Sequence, residues 1–290
     1  MFEYEVPANG LDLGLCVSSG QVFRWREHDA PKVYIGADGD NWYRVDASDS
    51  DLLRVTSNAG KASFERLFRL DIDAGAVKAA ILGRGPELGA YMDLLPGLRL
   101  LRPSDPVEAF ICFLCTPNNN VARISKMVAH LASFGPMLES SFGLQRFPEA
   151  LVVASIPEAE LRARGFGYRS ATIPRAARAL VERGGRDWLD NLKGGAYAEA
   201  FEELQSIPGI GPKLADCIAL FALHHTLATP VDTHLWQAVV RVYHPEWNGK
   251  SLTDGRYRQI GEFMRERFGE YAGWAHQYLF YENLLNWRAR

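Results

Sequence analysis

The sequence predicts an α+β protein: an N-terminal antiparallel sheet with attendant helices, followed by a region built from helices alone. Three observations predict it. Residues 21–57 hold short aromatic and β-branched runs separated by turn residues. From Lys61 the apolar spacing changes to a helical period. Beyond Pro103 nearly every segment carries a helix start, an apolar stripe or a helix stop.

The strands are read as Val22-Phe23-Arg24-Trp25-Arg26, Val33-Tyr34-Ile35, Asn41-Trp42-Tyr43-Arg44-Val45 and Leu52-Leu53-Arg54-Val55-Thr56. Asp38-Gly39-Asp40 supplies a hairpin turn, since glycine and its acidic neighbours tolerate the backbone a tight reversal needs. Phe64, Leu67 and Phe68, then Val77 and Ile81, place helices against one face of that sheet. Pro96-Gly97 and Pro103 mark a junction, and the domain boundary is placed near residue 102, dividing 1–102 from 103–290.

Asp105-Pro106-Val107-Glu108 opens the helical region with a cap, a first-turn proline and a first-turn acid. Asn118-Asn119-Asn120 reads as turn and cap before a helix carrying Val121, Ile124, Met127, Val128 and Leu131. Gly165-Phe166-Gly167-Tyr168-Arg169 is another interhelical turn, with an aromatic and a guanidinium at its tip. Residues 197–206 form a helix that Pro208 stops, and Gly209-Ile210-Gly211 then turns the chain into a helix whose first-turn proline is Pro212. A helix N-terminus with uncapped N–H groups attracts anions and fits a phosphate. On its own, Gly-x-Gly fits a plain turn between helices as well.

Lys213 follows the hairpin, one turn before Cys217 and beside the stripe Leu214, Ile218 and Phe221. An amine against apolar surface and a helix N-terminus should find its charged form disfavoured, and a neutral amine is a nucleophile. A solvated lysine or a phosphate contact is the simpler alternative. Asp232, in Pro230-Val231-Asp232-Thr233-His234, is placed to cap the next helix. In the final helix, Trp274, Tyr278, Tyr281 and Leu285 read as the core stripe, while His276, Phe280 and Asn283 fall opposite and face either a cleft or a second packing contact.

Composition sets bounds on function. The 290 residues are 47% hydrophobic and 23% charged, as in ordinary globular chains. No apolar run approaches a membrane span, no leader pattern opens the chain, and the expectation is an intracellular protein. The four cysteines, Cys16, Cys112, Cys115 and Cys217, lack the spacing of a metal or iron–sulfur set and read as buried thiols. A net charge of −3 argues mildly against a nucleic-acid partner, but residues 162–186 gather Arg162, Arg164, Arg169, Arg175, Arg178, Arg183 and Arg186 into what is either a basic face or a solvated helix surface.

The ordered set of hairpin, Lys213 and Val231-Asp232 with His234 resembles the helix-hairpin-helix DNA glycosylase superfamily. Further segments narrow the resemblance to its 8-oxoguanine DNA glycosylase/lyase branch: Ser19-Gly20-Gln21 with Phe23-Arg24-Trp25, Asn118-Asn119-Asn120 with Ala122-Arg123, Gly167-Tyr168-Arg169, Ala215-Asp216-Cys217, and Gly273-Trp274-Ala275 with Leu279-Phe280. The resemblance implies an active site between helical subdomains, no cofactor or metal, and a monomer acting on double-stranded DNA with a damaged purine. Lys213 would attack the sugar C1′, with Asp232 stabilising the cationic sugar. Cys217 and Phe280 would sandwich the flipped base, His276 would lie at its pairing edge, and the Gly20 carbonyl would accept its N7–H. Gly209, Gly211 and His234 would hold backbone phosphates. Asn118, Arg123 and Arg169 would read the orphaned cytosine while Tyr168 wedges the duplex. Two positions depart from the family's pattern: His276 stands where glutamine is usual, so its charge could follow pH, and Asn283 stands where aspartate is common. His276 leaves open a related glycosylase for another altered purine; a non-catalytic DNA-binding module, in which Lys213 only touches phosphate, is a third reading.

Overall fold

A computed structural model describes residues 1–140 and 142–288. Five antiparallel strands form one sheet in the order β1-β5-β4-β3-β2: β1 Phe2–Pro7, β2 Arg26–His28, β3 Ala30–Asp38, β4 Asn41–Asp46 and β5 Leu52–Ser57. The expected turn joins β3 to β4, with Asp38 opposite Asn41 and Gly39 at φ +60°.

Two strand assignments need correction. β1 was not foreseen, because Phe2-Glu3-Tyr4-Glu5-Val6 shows its alternation mostly to solvent; it is an edge strand paired with β5. Conversely, residues 22–25 are not a strand: regular pairing starts only at Arg26, and Phe23 and Trp25 turn inward as irregular chain, Trp25 stacking on Tyr43 at 5.7 Å.

Helices Lys61–Leu67 and Ala74–Arg84 bury Phe64, Leu67, Val77 and Ile81 as their spacing predicts. Helix Pro106–Leu114 is capped by Asp105, whose Oδ1 accepts from the Val107 and Glu108 amides at 2.9 and 3.3 Å. Helix Val121–Ala132 is capped by Asn120, as its place in the asparagine run suggests. Arg169–Glu182, Tyr197–Gln205, Pro212–Phe221 and Thr233–Val242 follow, then Asp254–Phe268 and Ala272–Arg288. No helix among the described residues is long and apolar enough to cross a membrane.

The final helix is more buried than a single core stripe implies: His276, Gln277, Glu282 and Asn283 are buried along with Trp274, Tyr278 and Tyr281. It lies between the N-terminal region, where Tyr278 donates to the Leu98 carbonyl at 2.9 Å, and the helix begun by Asp232. Apolar residues from both regions belong to one continuous core, and all four cysteines are buried free thiols.

Candidate active site

Helix starts and one N-terminal loop converge on a cavity of about 380 Å³. Gly20, Lys213, Cys217, Asp232, His234, His276 and Phe280 all line it. Its apolar floor is aromatic: Phe113 stacks on Phe221 at 5.1 Å, and Phe23 meets Phe113 edge-on at 5.7 Å.

Asp232 caps helix Thr233–Val242 as expected, its Oδ1 accepting from the His234 and Leu235 amides at 2.9 Å each. Lys213 projects from the first turn of Pro212–Phe221 into the same cavity. The charge on this amine differs from the sequence expectation. Burial pulls Lys213 down, but Cys217 and then Asp232 outweigh it, and the net direction is above the ordinary lysine value. Burial also pushes the Cys217 thiol up to about 11, with Lys213 offsetting part of that. The pull toward the charged form comes from Cys217, one turn along the same helix, and then from Asp232, which the following helix brings and the local pattern around Lys213 does not contain.

Gly20 adopts φ +79°, open to glycine without strain. Buried Gln21 anchors its loop: Nε2 donates to Ser19 Oγ at 2.9 Å and to the Arg99 carbonyl at 2.8 Å, and Oε1 accepts from the Leu101 amide at 2.8 Å. The neighbouring Ser19 carbonyl accepts from Gln277 Nε2 at 3.2 Å.

His276 is 3% exposed and stacks parallel to Phe280 with centroids 5.8 Å apart. Its Nε2 lies 3.0 Å from the Pro230 carbonyl. Burial drives its pKa down to about 4, with nearby Lys213 lowering it further against the pull of Asp232 and Pro230. The expectation that its charge could follow pH in the neutral range is thus corrected: this imidazole stays neutral. His234 Nδ1 meets Asn283 Oδ1 at 3.2 Å, so the asparagine still orients the imidazole with an amide in place of a carboxylate.

The remaining expected residues lie outside the cavity in two groups. Gly209 (φ +94°) and Gly211 are exposed at the hairpin, and among the described residues their amides donate to no protein acceptor. Asn118, Arg123, Tyr168 and Arg169 meet where two interhelical turns touch. Arg123 Nη2 donates to the Gly165 carbonyl at 2.7 Å, and the 56% exposed Tyr168 donates its hydroxyl to the Pro117 carbonyl at 3.2 Å. Arg169 is 3% exposed; it donates to the Pro117 carbonyl and, at 3.2 Å, to the Asn118 carbonyl, with its guanidinium 4.6 Å from the Tyr168 ring centre. It buttresses the turn that carries Asn118. The expected basic face is also partly engaged: Arg162 pairs with Glu158, Arg186 with Asp105 at 2.7 Å, and Arg183 donates to Ser206 Oγ at 2.7 Å, while Arg164 and Arg175 stay exposed.

Sequence reasoning missed Gln277 and Trp287, which also line the cavity. Trp287, 61% exposed at the rim, stands edge-on to His234 at 6.0 Å. The signal was available: 277, 280, 284 and 287 fall on one helical stripe.

Comparison with known proteins agrees with this geometry. The sequence profile of the 8-oxoguanine DNA glycosylase N-terminal domain matches residues 3–110, and that of the helix-hairpin-helix motif matches residues 192–221. An Arabidopsis thaliana N-glycosylase/DNA lyase is 34% identical over 98% of this chain and 80% of its own length. A Saccharomyces cerevisiae N-glycosylase/DNA lyase is 32% identical over 77% of this chain and 66% of its own length. The Clostridium acetobutylicum 8-oxoguanine glycosylase/lyase, solved with double-stranded DNA containing cytosine opposite 8-oxoguanine, superposes with a TM-score of 0.84 over 99% of this chain and 98% of that one, at 26% identity.

Proposed function

The chain belongs to the 8-oxoguanine DNA glycosylase/lyase family, and from that premise we propose how its own residues divide the reaction. It is a bifunctional glycosylase and abasic-site lyase that removes 8-oxoguanine from double-stranded DNA.

The observation that carries the division of labour is the shared cavity of Lys213 and Asp232. A base inside a duplex is unreachable, so the damaged nucleotide is extruded into the cavity. Lys213 enters charged and must first lose a proton; the Asp232 carboxylate, with Oδ1 held by the helix cap, is the nearby acceptor. The freed amine attacks C1′, the C1′–N9 bond breaks, and its electron pair leaves with the base, which takes up a proton. The sugar ring opens to a Schiff base on Lys213. A base then removes a C2′ proton, the C3′–O bond breaks, and the 3′ phosphate departs. Water afterwards hydrolyses the imine and frees the lysine.

Around that chemistry, Cys217 and Phe280 take the two faces of the extruded base, the Gly20 carbonyl receives N7–H, and His276 stands at the pairing edge. Gly209 and Gly211 offer unpaired amides to one phosphate, and His234 contacts another. Tyr168 wedges the duplex beside Asn118, Arg123 and Arg169; the last must leave the carbonyls it now holds before it can read the orphaned cytosine. We also place a boundary near residue 102 between the sheet-bearing unit and the helical one.

The test is borohydride trapping on a duplex carrying 8-oxoguanine. Wild type should yield a covalent protein–DNA adduct and Lys213→Gln none. A Lys213→Gln protein that still traps would remove the lysine from the nucleophile role.

A further inference from the structure

Asp216 lies one turn along the helix that starts with Lys213, yet it does not line the cavity. It is 1% exposed, and two phenols hold it. Tyr197 donates to Oδ1 at 2.7 Å, and Tyr257, from helix Asp254–Phe268, donates to Oδ2. Arg265 Nη1 in turn donates to the Tyr197 hydroxyl at 3.2 Å. Burial pushes the Asp216 carboxyl up to about 6, against the pull of Tyr257, Tyr197, Arg265 and the Thr229 backbone. Burial and then Asp216 raise the Tyr257 hydroxyl, against the pull of the Val231 backbone. Thr229 and Val231 are buried, and their segment ends in Asp232. Burying a carboxylate costs desolvation that an apolar side chain would not, so packing alone does not account for this cluster.

We propose that Asp216 and Tyr257 are positioning residues for the lysine chemistry: together they tie the helix that carries Lys213 to the segment that carries Asp232, and so hold amine and carboxylate in register. The inference rests on the reading of Lys213 as nucleophile and Asp232 as proton acceptor. Neither Asp216 nor Tyr257 touches the reacting atoms. The titratable groups that bear on the Lys213 amine are Cys217 and Asp232, with the neutral His276 nearby. Of these, Asp232 is the one whose placement the cluster sets. With the tie cut, Asp232 withdraws, Lys213 loses part of its pull toward the charged form, and its proton loses a nearby acceptor.

The test compares two deletions of a single hydroxyl from the same carboxylate. Tyr257→Phe removes the hydroxyl between Asp216 and the segment before Asp232. Tyr197→Phe removes the one on Oδ1, whose further partner is Arg265. Single-turnover cleavage of a preformed abasic site is followed against pH, at a temperature where melting shows each variant folded. The pH midpoint of cleavage follows loss of the Lys213 proton. Tyr257→Phe should slow cleavage by about tenfold or more and move that midpoint down by about one unit, while Tyr197→Phe stays within about twofold with its midpoint in place. Asp216→Leu, which trades the carboxylate for an apolar side chain, should reproduce the Tyr257→Phe profile. Equal losses in the two tyrosine variants, or an unmoved midpoint in Tyr257→Phe, would overturn the proposal and leave the cluster a support of the fold alone. Absence of a borohydride-trapped adduct in the unmodified protein would instead strike at the glycosylase/lyase reading.

Discussion

At Asp232 one carboxylate oxygen closes a helix while the side chain as a whole faces the cavity of Lys213. The cap was legible in the sequence; the charge it places beside Lys213 was not, because that contact is made across space between two helices. Substitution separates the two roles. Asp232→Asn keeps a cap oxygen and should leave stability nearly unchanged while excision collapses. Asp232→Ala should lose about 1 kcal/mol as well. Urea unfolding beside single-turnover excision checks both, and a stable, active Asn variant would strip the carboxylate of its chemical role. His276 permits a prediction with a definite sign. Its folded pKa of about 4 lies below the ordinary histidine value, so its stabilising contribution is complete above about pH 6.5 and fades as pH falls toward 4. Excision between pH 6 and 9 should carry no inflection from this group, and a His276→Gln profile should keep the wild-type shape there. An inflection near pH 6.5 that vanishes in His276→Gln would place the imidazole in a wetter site than this one.

The hairpin shows what local pattern conveys about an element and what it omits. Pro208, the two glycines and Pro212 announced a turn between helices, and the turn is there. The sequence did not distinguish the glycines. Gly209 sits at φ +94°, and a Cβ there would lie 3.1 Å from Thr172 Cγ2; Gly211 is at φ −93° with open space around it. Gly209→Ala should therefore cost about 1–2 kcal/mol and loosen the amides proposed to hold a phosphate, whereas Gly211→Ala should fold like wild type. Thermal melts with duplex titrations would show this, and equal melting of the two variants would contradict it. Elements held by distant partners were the ones misread. Residues 22–25 have strand composition, but Phe23 is used on Phe113 and Trp25 on Tyr43, so their aromatic content serves the core and not a ladder. β1 pairs with the edge of β5, and the alternation of Phe2, Tyr4 and Val6 with glutamates was a strand signal that sequence reasoning missed.

Across the whole molecule, the proposed boundary near residue 102 does not divide the cavity, whose lining comes from both sides of it. Lys213 and Asp232 come from the helical region, and Gly20 comes from the N-terminal one. Motifs identified each contributor, but their convergence depends on packing that no single stretch encodes. Gln21 is the joint where that packing can be tested. Its amide ties the Gly20 loop to the Arg99–Leu101 segment through two hydrogen bonds and bonds Ser19 Oγ within the loop, and Gln277 holds the same loop from the final helix. Gln21→Leu keeps the bulk but strands the Leu101 amide and the Arg99 carbonyl in a buried setting. That should cost about 2–4 kcal/mol and lower the melting temperature by several degrees. The loss should not fall evenly on the two activities. In the proposed division of labour, strand cleavage at a preformed abasic site uses Lys213 and Asp232, while base excision also uses the Gly20 carbonyl held in register. Excision of 8-oxoguanine by Gln21→Leu should therefore drop well below abasic-site cleavage at a temperature where the variant is folded. A proportional drop in both would mean that the loop supports the fold alone, and a wild-type melting temperature would mean that its hydrogen bonds are replaced by solvent.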